Sequence, residues 1–256
     1  MIFVMDIGNT NIKAAVFDGN VLLKRWRCAT DTSLTSDQYG IFMADLFRYN
    51  GLDMKAIEGI MISSVVPTIN YTIEHMCRDY FGMDPKFLLP GLKTGLNIRY
   101  ENPRELGSDR IANAVAVSTI YGGPSIFIDF GTATTYGVVS DKSEFLGGAI
   151  GPGLRMMNAA LSTGTAKLPS IELVLPQRVI GRTTITNIQS GIIYGYIGSV
   201  EKIVSRMKEE MGCMDAKVIA TGGMAHMVRQ NSDVIDVINP DLTLTGLRLI
   251  YEKNHQ

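Results

Sequence analysis

One pattern occurs in both halves of the chain, and it constrains the fold more than any other feature. DIGNTNIKAAVFD at 6–18 lies on DFGTATTYGVVSD at 129–141 without gaps. Asp6 meets Asp129, Gly8 meets Gly131, Val16 meets Val139 and Asp18 meets Asp141: four of thirteen positions, where chance gives about one. Each copy follows an apolar run, Ile2-Phe3-Val4 in the first and Ile126-Phe127-Ile128 in the second. Each then reads as a strand ending in an acid, a tight turn on glycine, and a second strand. A chain that does this twice, with helices and strands alternating after each copy, reads as a duplicated α/β protein.

The remaining elements follow from periodicity and turn chemistry. Residues 2–6, 12–18 and 21–27 read as a strand meander, with Asp18-Gly19-Asn20 as the second turn. Residues 36–50 read as a helix capped by Ser36, with Ile41, Phe42, Leu46 and Tyr49 as its apolar stripe and Gly51 as its stop. GIMISSVVP is a strand closed by Pro67, 68–81 a helix, and KFLL a short strand. A helix begins near Asp109 and ends at Gly122. A longer one runs from Thr183 to about Met211, with Ile188, Ile192, Ile193, Ile197, Val200 and Val204 in a broad apolar stripe, and with Gly191, Gly195 and Gly198 as small residues that let another helix approach. Met156 and Met157 read as core fillers. The boundary between the halves is expected within 115–123, giving domains 1–118 and 119–256.

Composition bounds the function. The chain has 256 residues, is 46% hydrophobic, and carries 24 basic against 25 acidic side chains. A sizeable core is affordable, and there is no electrostatic footprint for nucleic acid or an anionic membrane. No apolar run approaches the ~20 residues that span a bilayer, and Asp6 interrupts the N-terminus too early for a signal-peptide core. Cys28, Cys77 and Cys213, and likewise His75, His226 and His255, are scattered, which argues against a disulfide scaffold or a zinc site. A reduced, cytoplasmic protein is the expectation.

The paired hairpins suggest chemistry. Glycine lets the backbone approach a ligand. The N–H groups of such a turn, with Asn9, Thr10, Asn11, Thr132 and Thr134 beside them, suit phosphate oxygens. An acid at a strand end can hold Mg²⁺, directly or through water. Asp6 could equally do no more than order its own turn. The usual nucleotide signatures are missing: there is no GxxxxGK[ST], no GxGxxG after a strand, and no protein-kinase catalytic loop.

The motifs in sequence then resemble a known family. DIGNTN at 6–11, GSDR at 107–110, DFGTATT at 129–135, GGAIGPGL at 147–154, TAKLP at 165–169 and TGG at 221–223 are similar, in order and spacing, to the motifs of type III pantothenate kinases. Those enzymes belong to the superfamily of acetate and sugar kinases, heat-shock ATPases and actins. The resemblance covers residue 2 to about 250. It implies two duplicated ribonuclease-H-like (actin-like ATPase) domains, each a mixed sheet flanked by helices, with the active site in the cleft between them.

It also implies an activity, ATP-dependent phosphorylation of pantothenate as the first step of coenzyme A biosynthesis, with residue roles to match. Asp6, Ile7, Gly8, Asn9, Thr10, Asn11, Ile12 and Lys13 correspond to the ATP-contacting segment, with Asp6 organising Mg²⁺ through water. Thr132 corresponds to a further ATP contact, and the TGG turn to a seat for adenosine. Asp129 corresponds to a ligand of a monovalent cation, potassium or ammonium. Tyr100, Gly107, Ser108, Asp109, Arg110 and Thr184 correspond to pantothenate contacts, with Asp109 as the general base. Its position early in a helix favours the carboxylate form, although such an acid also serves as a plain cap. Arg110 suits the pantothenate carboxylate, or an internal ion pair with Glu105. The family implies a homodimer in which Thr184 reaches the partner's substrate. Another small-molecule kinase of the superfamily, or an actin-like ATPase switch, are the alternatives; the chain is short for the latter. Some relatives have been linked to transcription, for which the neutral charge and the lack of a basic helix offer no support.

Overall fold

The computed structural model describes Met1–His255. It resolves into two compact units, Met1–Ile120 together with the chain from Asp241 onward, and Tyr121–Pro240. In the first unit lie β1 (Ile2–Ile7), β2 (Asn11–Asp18), β3 (Val21–Ala29), α1 (Ser36–Tyr49), β4 (Gly59–Ser64), α2 (Asn70–Met76), β5 (Lys86–Phe87), the two-residue β6 (Asn97–Ile98) and α3 (Ser108–Ile120). In the second lie β7 (Ser125–Phe130), β8 (Ala133–Val139), β9 (Glu144–Pro152), α4 (Leu154–Gly164), α5 (Thr184–Met211), β10 (Lys217–Gly222), α6 (Ala225–Gln230) and β11 (Val237–Ile238). The final helix, α7 (Leu242–Lys253), returns to the first unit.

The duplication expected from the repeat is visible in the sheets. Strands of the first unit run β3-β2-β1-β4-β5, and those of the second β9-β8-β7-β10-β11. In both, the acid-ended strand is antiparallel to the next strand and parallel to the fourth. The ungapped overlay nevertheless slips at the turn. Asp6 pairs with Lys13, whereas Asp129 pairs with Thr135, one residue sooner. Val16, opposite Phe3, therefore corresponds to Val138, opposite Ile126, and not to Val139.

Helix α1 differs from expectation in its cap and its buried face. Thr35 is the N-cap, in a reciprocal capping box with Gln38. The core face is Tyr39, Gly40, Met43 and Phe47, while Ile41, Phe42 and Tyr49 are exposed. The reason is local. The Tyr39 hydroxyl donates to Asp31 O at 2.8 Å and accepts from Asp31 N at 3.1 Å, so its polar tip is satisfied where its ring is buried. Gly40 leaves room for the Tyr80 ring, which a Cβ there would meet at 2.2 Å. Phe47, Phe3 and Phe81 close the cluster with ring centroids 5.1–5.5 Å apart. The helix expected over 68–81 is α2 followed by one wider turn over Cys77–Phe81, ended by Gly82 at φ 71°.

The last helix also falls outside the expected division at 118/119. α7 packs on α3, where Gly246 lies so close to the Ala112 carbonyl that a Cβ would sit 1.9 Å from its oxygen. Thr243 donates to Asn113 at 2.8 Å in the buried contact, and Arg25 bonds Asp241 at 2.6 Å. In the second unit α5 runs almost as expected, from its Thr183 cap to Gly212 at φ 64°. Its apolar stripe is consumed inside the unit, packed on Ile128, Tyr136 and Ala220. Met157 joins that core, but Met156 is exposed, so only one of the two methionines fills it. No described helix is long and apolar enough to cross a membrane.

Candidate functional site

In the first unit the β1–β2 turn is held from behind. The Gly8 amide donates to Asn11 O at 3.0 Å, the Thr30 hydroxyl to Gly8 O at 2.6 Å, and the Thr30 amide to Thr10 O at 3.1 Å. With its carbonyls engaged at the strand side, the turn is shaped to present donors to an anion. Thr30 was not singled out from the sequence; its role depends on β3 lying alongside the turn.

Asp6 sits at the base of this turn, 7% exposed. Its cross-strand partner Lys13 reaches it, Nζ to Oδ2 3.6 Å, so the lysine is an ion-pair partner and not a solvent-facing strand residue. On the other side Asp6 is in register with Ser63 of β4. Ser63 is fully buried, and its hydroxyl lies 2.9 Å from that of Ser108, the first residue of α3. The strand register thus sets Asp6 beside Ser63, and the Ser63 hydroxyl in turn meets the start of the helix that carries Asp109.

At that start, Gly107 O accepts from the amides of Arg110 and Ile111, at 3.1 and 3.2 Å, which makes Gly107 the helix cap. The Asp109 carboxylate accepts from the Arg110 amide at 2.9 Å. Arg110 is 5% exposed, and its guanidinium lies 5.9 Å from the centre of the Tyr100 ring. Gly107, Ser108, Asp109 and Arg110 thus stand at one helix start, with Tyr100 beside the Arg110 guanidinium. Ile7 and Ile12 of the β1–β2 segment are fully buried in the core and hold the turn in place, while Asn9 and Thr10 are exposed.

In the second unit the β7–β8 turn carries Thr132, which is exposed and whose carbonyl accepts from the Gly153 amide at 3.1 Å. A Cβ on Gly153 would meet that carbonyl at 2.4 Å, which explains the last glycine of GGAIGPGL: α4 begins against the turn. Asp129, at the strand end, has a buried Oδ1 with no hydrogen-bond partner among the described residues. Gly222 of the TGG turn, at φ 90°, passes close to it; a Cβ would lie 2.7 Å from that oxygen. Burial, with the Asp129 charge adding to it, pushes the Tyr196 phenol up to about 12, against the pull of its hydrogen bond with Thr134. Thr184 opens α5 and lines an apolar groove of about 590 Å³ between α4 and α5, together with Met157, Leu161, Asn187 and Gly191.

Two units whose own five strands run in the same order, each opening with an acid-ended hairpin, define the ribonuclease-H-like, actin-like ATPase class. Solved structures share that fold: an inorganic polyphosphate/ATP-glucomannokinase from Arthrobacter sp. strain KM superposes with a TM-score of 0.52 at 12% identity, over 98% of this chain and 97% of that one. A conserved Baf family transcriptional activator, so assigned provisionally, from Campylobacter jejuni gives 0.63 at 21% identity, over 99% and 98%.

Sequence narrows the class to a family. The model of the type III pantothenate kinase family matches residues 2–206. A type III pantothenate kinase of Geobacillus kaustophilus (strain HTA426) is 51% identical over 254 residues, 99% of this chain and 98% of that protein. The chain belongs to the type III pantothenate kinase family.

Proposed function

We propose that the protein is a cytoplasmic transferase that moves the γ-phosphate of ATP to the primary alcohol of pantothenate, the entry step of coenzyme A biosynthesis. The observation that carries this is the placement of Ser63, in register with Asp6 and with its hydroxyl 2.9 Å from that of Ser108, the residue before Asp109. It joins a turn suited to phosphate to a carboxylate suited to an alcohol proton. Phosphoryl transfer is catalysed mainly by positioning and charge neutralisation, so a rigid connection between the two is what the reaction needs. Asp109 is the general base. Arg110, held over Tyr100, takes the pantothenate carboxylate, with Gly107 and Ser108 beside it. Asp6 to Lys13 and Thr132 bind ATP.

Among the described residues no group of three or more His, Cys, Asp or Glu could hold a metal ion. Mg²⁺ in such a site arrives with the nucleotide, bound by phosphates and water. Asp6 fits a contact through water, because the Lys13 ammonium already lies 3.6 Å from its carboxylate. The bare, buried Oδ1 of Asp129 fits a monovalent cation, potassium or ammonium. Its role is to neutralise charge near the phosphates.

A homodimer completes the reading. The apolar stripe of α5 is used internally, but Gly191, Gly195 and Gly198 stand on an open face where an added Cβ meets nothing within 4 Å. A partner helix can approach there, with Thr184 carried toward the partner's substrate. ADP release measured with and without pantothenate tests the activity: release that does not depend on pantothenate would point to an ATPase switch instead. Asp109→Asn, nearly isosteric, is expected to keep its fold and nucleotide binding and to lose roughly 10²–10⁴-fold in kcat. A kcat within a few fold of the parent removes Asp109 as the base.

A further inference from the structure

The two units end their first strand in the same acid and flank it differently. Asp6 stands between Lys13 of β2 and Ser63 of β4. Asp129 stands between Thr135 of β8 and Thr221 of β10. Paired residues of adjacent strands share a face, so each acid is the centre of a row of three. In the second unit the neighbours Ile128, Tyr136 and Ala220 turn into the α5 core, which puts Asp129, Thr135 and Thr221 together on the opposite face.

The rows differ in charge. In the first, the Lys13 ammonium lies 3.6 Å from the carboxylate. In the second, Asp129 Oδ1, Thr135 Oγ1 and Thr221 Oγ1 are all buried without a hydrogen-bond partner among the described residues, and Thr221 is fully buried. Neither threonine donates to the carboxylate between them. Three buried oxygens in one cross-strand row, one of them on a carboxyl group, are costly unless something positive meets them. One carboxylate with two neutral hydroxyls matches a single positive charge and the oxygen preference of an alkali ion.

We propose that Thr135 and Thr221 supply the neutral oxygens of the cation seat at Asp129, and that this seat is the second unit's counterpart of the Lys13–Asp6 ion pair. The duplicated hairpin carries a tethered ammonium in one copy and borrows a free cation in the other. Thr135 occupies the register position of Lys13, so a lysine at 135 replaces the ion. The inference rests on Asp129 being a cation ligand, and adds the residues that complete the site and determine its dependence on salt.

The test uses the full chain in potassium or tetramethylammonium chloride at equal ionic strength. It follows Tm and binding of thallous ion, a spectroscopic stand-in for potassium. The parent is expected to show a higher Tm in potassium and to bind thallous ion. Thr221→Val keeps the shape and removes the hydroxyl; its half-saturating potassium concentration should rise about fivefold or more, the equivalent of one lost buried polar contact. Thr221→Ser should respond like the parent. Thr135→Lys should show the same Tm in both salts, bind no thallous ion, and turn over pantothenate without added potassium. A parent with no response to either ion removes the cation role of Asp129 itself. A parent that responds, with Thr221→Val and Thr135→Lys responding identically, overturns this inference and leaves Asp129 standing.

Discussion

Gly107→Ala tests whether Asp109, the proposed base, works through its position. Gly107 is not in a left-handed conformation, so alanine is compatible with the backbone there. What a Cβ would meet is the Asp109 carboxylate, with Oδ1 at 2.5 Å. That is inside van der Waals contact by close to 1 Å, and the end of a side chain yields more readily than a helix cap. The carboxylate is expected to rotate away from the place that accepts the alcohol proton. Misplacement of a catalytic group by about 1 Å costs on the order of 10²-fold. The expected kcat is therefore reduced roughly 10–100-fold, less than the loss from Asp109→Asn. The fold should hardly notice: alanine for glycine at a helix cap costs about 0.5–1 kcal/mol, a few degrees in Tm. The assay is coupled ADP release over a pantothenate titration, with thermal melting of the same samples. KM for ATP should stay within a few fold, because the nucleotide turn is untouched. A variant with parental kcat would refute the reasoning, since the carboxylate would then tolerate displacement. A drop in kcat matched by a fall in Tm of ten degrees or more would refute it too, by assigning the loss to unfolding.

Gly222→Ala should do the opposite and damage structure first. At φ 90° its Cβ would meet the Phe130 carbonyl oxygen at 2.6 Å as well as Asp129, so a loss of about 2–4 kcal/mol in urea unfolding is expected, together with a weakened potassium response. Burial pushes the Cys77 thiol up to about 12 from 9.0. The folded state thus keeps a proton that the unfolded chain gives up, so stability is whole below pH 9 and falls as the pH rises from there toward 12; Cys77→Ala should flatten that alkaline decline in pH-dependent melts. The sedimenting particle should have twice the chain mass of 28.0 kDa, about 56 kDa. Mixing inactive Asp109→Asn with inactive Thr184→Arg should restore partial turnover through heterodimers with one intact site, and a fully active monomer at micromolar concentration would defeat the shared site.

The sequence by itself determined the local features of this protein. The two acid-ended hairpins, the glycine turns and the limits of α5, with Thr183 before it and Gly212 after, are set by interactions between residues a few positions apart. So is the grouping of Gly107 to Arg110 at one helix start. Tertiary structure decided what depends on partners far along the chain. Helix α1 offers two apolar stripes, and Tyr39, Met43 and Phe47 are buried only because Asp31 satisfies the tyrosine and Gly40 admits Tyr80. Helix α7 joins the first unit because Gly246 fits against α3, a match of shapes that no pattern within either helix expresses. The slip of one residue in the second hairpin needed the strand register. So did the rows around Asp6 and Asp129, since Ser63 and Thr221 reach them by parallel pairing. A parallel ladder joins segments through long crossovers, and its register is fixed by packing on both faces of the sheet, not by any turn that the chain spells out.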